Sequence, residues 1–163
     1  MKRLSLLLAI SSILFAPACY SGSRPPRIGH AAKDFIVQDS DRKVSLDQFK
    51  GQILVLNFWA TWCPPCVEEL PSLEVMQERM RSRGVVVLGV SIDVDQNAYH
   101  HFIKERGVNF LTVRDPEQKV PAIYGTTGWP ETYIIDRQGV IRRKFIGAVD
   151  WSSPEVIQFL NQL

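Results

Sequence analysis

Ile53-Leu54-Val55-Leu56-Asn57-Phe58-Trp59-Ala60-Thr61-Trp62-Cys63-Pro64-Pro65-Cys66 is the stretch that decides how this chain is built. Its first seven residues are apolar except for Asn57. Such a run suits a central strand covered on both faces, where neither face can carry an alternating polar series. After Cys66, apolar residues recur at Val67, Leu70, Leu73, Val75 (or Met76) and Met80, close to helical spacing, and Gly84 closes the pattern. The two cysteines therefore sit where a buried strand hands over to a helix. A spacing of three puts both sulfurs on one face of the first helical turn, near enough to bridge.

That position has chemical consequences. Free backbone N–H groups and the positive end of the dipole stabilise a thiolate at a helix N-terminus. The thiol pKa then falls from about 8.5 toward neutrality, and thiol–disulfide exchange gains its nucleophile. Cys63, first in the turn, is expected to be exposed and to attack. Cys66, one turn inside, is expected to resolve the mixed disulfide. Pro64 and Pro65 lack N–H groups, so the turn offers the thiolate fewer donors, which leans toward a reductant. A structural disulfide closing so short a loop would constrain the unfolded chain little. A zinc site would need two more ligands, and the remaining donors are the scattered His30, His100 and His101.

Outward from this centre, strands and helices alternate. Phe35-Ile36-Val37 and Val44 flank the polar turn Asp39-Ser40-Asp41 and read as a hairpin, followed by one helical turn from Leu46 to Gly51. Residues 85–92 form a second buried strand. Asp95 caps a helix running to about Arg106, with Gly107 behind it. A weaker strand falls at 111–113 and a helical turn at 121–124. Two strands, 131–135 and 141–145, are joined by Asp136-Arg137-Gln138-Gly139. Ser153-Pro154-Glu155 starts a terminal helix. The reading is an α/β sheet, mixed because its last two strands form a hairpin. Trp59 is assigned to the core, His100-His101 to a solvated face, and Asp93 and Asp95 to helix capping in preference to a cation site. Arg142-Arg143-Lys144 reads as a charged sheet edge.

The 163 residues, 45% apolar and 22% charged, suit one globular domain. The first segment stands apart. Lys2-Arg3 precedes an apolar run over residues 4–15 and the small-residue site Ala16-Pro17-Ala18, the pattern of an export signal. That run is short of the roughly 20 residues a spanning helix needs. Without residues 1–18 the formal charge of +2 loses Lys2 and Arg3 and becomes zero, so no nucleic-acid partner is expected. Cys19 is the unpaired third cysteine. It stands where a bacterial lipoprotein signal places its lipidated residue, which this segment resembles; ordinary cleavage after Ala18 is the rival. Residues 19–27 read as a polar, Gly- and Pro-containing tether, and 28–163 as the folded domain.

The segment Asn57 to Cys66 resembles the active-site segment of bacterial TlpA-like and ResA-like thioredoxins, a group that includes the reductants of cytochrome c maturation. Glu69-Leu70-Pro71 matches that family's Glu-x-Pro. Gly128-Trp129-Pro130-Glu131-Thr132-Tyr133-Ile134-Ile135-Asp136 resembles its cis-proline segment, and Ile28-Gly29-His30 its usual beginning. The resemblance implies a thioredoxin-like α/β fold: a mixed central sheet flanked by helices, an N-terminal β-hairpin, and a central helical insertion at about residues 93–108. It implies an extracytoplasmic thiol–disulfide oxidoreductase that reduces disulfides in partner proteins, apocytochrome c among them. Electrons would come from a membrane thiol transporter, and no cofactor is expected beyond the redox-active Cys63–Cys66 disulfide.

By the same resemblance Pro130 is the cis-proline facing the cysteines, and Trp129 pairs with an extended substrate segment. Glu69 is a partly buried acid that tunes the thiols or relays a proton; its bland alternative is a first-turn acid complementing the dipole. Trp62, Pro64 and Pro65 complete the docking surface. The chain is expected to act as a monomer, touching the membrane through its lipid alone. Two other functions stand beside this one. Copper chaperones of similar architecture use C-x-x-x-C with a distal His, one residue longer than here. Peroxiredoxin-type peroxidases place Thr or Ser three residues before the nucleophile, where this chain has Ala60.

Overall fold

A computed structural model describes residues 25–163 of the chain. The export segment, Cys19 and most of the tether lie outside the described residues.

A two-stranded hairpin comes first, β1 (Ile36–Gln38) against β2 (Lys43–Ser45), with Val37 opposite Val44. Asp39 shapes its turn by accepting the N–H groups of Asp41 and Arg42 on one carboxylate oxygen. The main sheet has five strands: β3 (Ile53–Trp59), β4 (Val85–Ser91), β5 (Leu111–Arg114), β6 (Glu131–Ile135) and β7 (Ile141–Ile146). They lie in the order β5-β4-β3-β6-β7. β4 runs parallel to both β3 and β5, whereas β6 and β7 are antiparallel, so the sheet is mixed as expected. All seven residues of the central strand β3 are buried.

Alternate residues of β3 serve opposite faces, as the twofold period of a strand requires. Ile53, Val55 and Trp59 join one core with Leu70, Leu73 and Met76 of helix α1 (Pro64–Met80). Tyr99 of α2 (Gln96–Arg106) and Val156, Ile157 and Leu160 of α4 (Pro154–Asn161) complete it. Leu54, Leu56 and Phe58 join a second core with Phe35, Val37 and Val44 of the hairpin region and Val120 and Tyr124 of α3 (Lys119–Tyr124). The hairpin thus covers, together with α3, the sheet face opposite α1, α2 and α4.

Several details sharpen or correct the sequence reading. On α1 the buried face takes Met76, and Val75 is exposed. A further 3₁₀ turn, Arg81–Arg83, precedes Gly84, whose φ of 70° closes the helix. After α2, β5 joins the sheet as a parallel edge strand, a placement its short run with Thr112 and Arg114 did not announce. Asp95 caps α2 through the N–H groups of Asn97 and Ala98. Asp93 caps nothing and instead grips Thr61. The charged run 142–144 lies on the edge strand β7, where it discourages strand addition.

Candidate active site

Strand β3 ends at Trp59, and the chain turns before α1 begins. The turn closes with the Cys63 N–H donating to the Ala60 carbonyl at 3.2 Å. Cys63 is the N-cap of α1, in extended conformation, and its Sγ accepts the Cys66 N–H at 3.3 Å. An N-cap side chain can reach the N–H of the second or third helical residue. Here the first two are Pro64 and Pro65, so Cys66 holds the one N–H of that trio. The expected scarcity of donors is therefore a matter of one hydrogen bond. The cysteines are joined in a disulfide with Cα atoms 5.3 Å apart. Cys63 is 5% exposed and Cys66 0%, so the expected order holds while the expected exposure of Cys63 does not. As the disulfide, both sulfurs belong to the core that α1 builds on β3, with Trp129 packed against it.

Glu69 points inward one turn further along α1 and is 3% exposed. It is not a first-turn acid. Asn57 donates to Oε1 at 2.8 Å, and the Val149 N–H and the Trp151 indole N–H each donate to Oε2 at 3.0 Å. Burial raises its pKa above the ordinary carboxyl range, while the donors from Trp151, Val149 and Asn57 pull it back down. Asn57 also donates to Thr132 Oγ1 at 2.8 Å, and its own Oδ1 is buried without a partner. An asparagine inside an otherwise apolar strand was the signal for this network, because a buried amide must find partners. Nothing in the sequence pattern pointed to Trp151 or Val149.

The Trp129–Pro130 peptide bond is cis, as the resemblance implied. Phe58 pairs with Glu131, so one step further the register sets Pro130 beside the end of β3. The Pro130 carbonyl accepts the Gly147 N–H at 2.9 Å, whereas the backbone of Trp129 has no partner among the described residues. Trp62 stands 61% exposed next to Cys63. The structure thus gathers Trp62, Pro64, Pro65, Trp129 and Pro130 around the ends of β3 and β6. Behind them is a second buried acid that sequence reasoning passed over. Glu131 accepts from the Tyr133 hydroxyl at 2.7 Å and from Thr126, and pairs with Lys144 at 2.9 Å. The histidines lie elsewhere: His100 sits against Asp41 and His101 against Glu105. No group of three His, Cys, Asp or Glu residues able to hold a metal occurs among the described residues.

A family model described as AhpC/TSA matches residues 28–144. The chain belongs to the AhpC/TSA family. Within it the chain falls with the ResA-like thioredoxins. It is 31% identical over 133 residues to the thiol–disulfide oxidoreductase ResA of Bacillus subtilis (strain 168), covering 81% of this chain and 74% of that protein. The thioredoxin domain of a thiol–disulfide oxidoreductase from Bacteroides vulgatus superposes with a TM-score of 0.73 at 26% identity, over 83% of this chain and 99% of that one. The pneumococcal exposed lipoprotein thioredoxin (Etrx1) from Streptococcus pneumoniae gives a TM-score of 0.68 at 25% identity, over 80% and 100%. The chain is accordingly a thiol–disulfide oxidoreductase with Cys63 and Cys66 as its cysteine pair.

Proposed function

We propose that this oxidoreductase reduces disulfides of partner proteins outside the cytoplasm, apocytochrome c being one such substrate. The observation that carries the direction is the single N–H offered to Cys63 Sγ. A thiolate held by one donor is less stabilised, and the disulfide formed from it is correspondingly harder to reduce. Cys63 thiolate attacks one sulfur of the substrate disulfide, and the other substrate sulfur leaves and takes a proton. Cys66, once deprotonated, attacks Cys63 Sγ, which closes the Cys63–Cys66 disulfide and frees the second substrate thiol. Two electrons pass from the pair to the substrate. A membrane thiol transporter returns them.

Glu69, buried one turn past Cys66 with its pKa raised by that burial, is suited to tune the thiols or relay a proton. Trp62, Pro64, Pro65, Trp129 and Pro130 form the docking face, and the unpartnered backbone of Trp129 supports pairing with an extended substrate segment. Residues 1–18 act as an export signal and 19–27 as a tether lipidated at Cys19, the domain working as a monomer. The likeness to the pneumococcal exposed lipoprotein thioredoxin (Etrx1) supports this placement.

The test is a trapping experiment. Cys66→Ser protein should accumulate a mixed disulfide with its substrate, and Cys63→Ser should not. Exchange by Cys63→Ser at the parent rate would sink the assignment. Equilibration against glutathione then sets the direction: a potential near about −270 mV supports a reductant, and one near about −120 mV an oxidant.

A further inference from the structure

Asp93 carries a buried carboxylate that the exchange chemistry does not use. It is 3% exposed and lies just past the end of β4. One oxygen accepts the Thr61 hydroxyl at 2.6 Å; the other accepts the Thr61 N–H at 3.0 Å and the Ser91 hydroxyl at 2.5 Å. Its backbone is held as firmly. Arg114 Nη1 donates to the Asp93 carbonyl at 3.1 Å and to the Val94 carbonyl at 3.0 Å, and Arg114 Nη2 to Gln96 at 3.1 Å. The Arg114 N–H in turn donates to Asp39 in the hairpin turn at 2.9 Å. Hairpin and inserted segment, the two additions that flank the α1 site, are thus joined through Arg114 and Asp93 to one residue, Thr61.

Thr61 is the second residue of the Ala60–Cys63 turn. Burying a carboxylate among neutral donors is costly, and a single hydrogen bond would suffice to tie two loops. Gripping both the backbone and the side chain of one residue does something more. It fixes the orientation of the turn on which the nucleophile stands. That turn must hold its place when the Cys63–Cys66 bond opens, because Cys63 Sγ then depends on the lone Cys66 N–H for stabilisation as a thiolate.

We propose that Asp93 is a positioning residue for thiol–disulfide exchange, holding the Ala60–Cys63 turn through Thr61 so that Cys63 Sγ stays on the Cys66 N–H. The inference rests on Cys63 being the attacking thiol. Its test is the pH profile of iodoacetamide alkylation of Cys63 in the reduced protein, for the parent, Thr61→Val and Thr61→Ser. Valine keeps the shape of threonine and loses the hydroxyl, whereas serine keeps the hydroxyl. Thr61→Val should move the profile to higher pH, with alkylation at pH 7 about tenfold slower, the change that one pKa unit produces in a small thiolate fraction. Thr61→Ser should bring it back to within about twofold of the parent.

A Thr61→Val profile superimposed on the parent's would overturn the proposal, even if its melting temperature fell. So would a Thr61→Ser profile that stays with valine. Insulin reduction, measured separately, reads the exchange function itself. A parent inert toward insulin would count against reduction of protein disulfides, while the alkylation profiles would still report on the turn.

Discussion

Trp151→Phe isolates the contribution of one hydrogen bond to the buried acid beside the cysteines. The substitution removes the indole N–H that donates to Glu69 Oε2 at 3.0 Å and keeps an aromatic ring against Phe145, whose centroid lies 5.1 Å away. Two losses follow. The smaller ring leaves unfilled volume, and that cost is the same at every pH. The lost donor matters in proportion to the charge it faced: about 1.5–3 kcal/mol for a hydrogen bond to a charged group, and about 0.5–1.5 kcal/mol for a neutral one. Because Glu69 has a folded pKa above its ordinary 4.5, its ionised form weakens the fold. That penalty is absent below the unfolded value, grows as pH rises to the folded pKa, and is constant above it. Removing a donor raises the folded pKa further and deepens the penalty. Urea denaturation of variant and parent at pH 8 and at pH 4 should therefore show Trp151→Phe costing about 1–1.5 kcal/mol more at pH 8. An equal cost at both pH values would refute an ionisable Glu69 held by this network.

Two further substitutions probe the turn and the sheet. Pro65→Ala restores an N–H at the second helical position, giving Cys63 Sγ a second donor. A thiolate stabilised by about one pKa unit makes the pair more oxidising by up to about 30 mV, read by equilibration with glutathione, and an unchanged or lower potential would contradict the donor-counting argument. Gly89→Ala would place a methyl 2.8 Å from Trp59 Nε1 and 2.9 Å from Phe110 Cε2. Overpacking of this kind should cost about 1–3 kcal/mol in urea denaturation, and parent-like stability would show that Phe110 and Trp59 can move aside.

Local chemistry carried the parts of this protein that the sequence determined alone. The apolar run of β3, the C-x-x-C at the head of α1, the Asp95 and Ser153 caps and the hairpin turn each depend on neighbours within a few residues, and each appeared where expected. The resemblance supplied the cis-proline, which the backbone then displayed.

Contacts across long stretches of chain were decided by the tertiary structure. Trp151 lies 82 residues from Glu69, Thr132 lies 75 from Asn57, and Asp93 lies 32 from Thr61, and no periodicity links such positions. The burial of Cys63 belongs with them, since packing around the pair and not its place in the turn sets how much of the sulfur water can reach. A sequence motif can thus name the reactive pair, because helix-terminus physics is local. The donors on Glu69 and the carboxylate that grips the turn before Cys63 come from distant residues that only the folded sheet brings together.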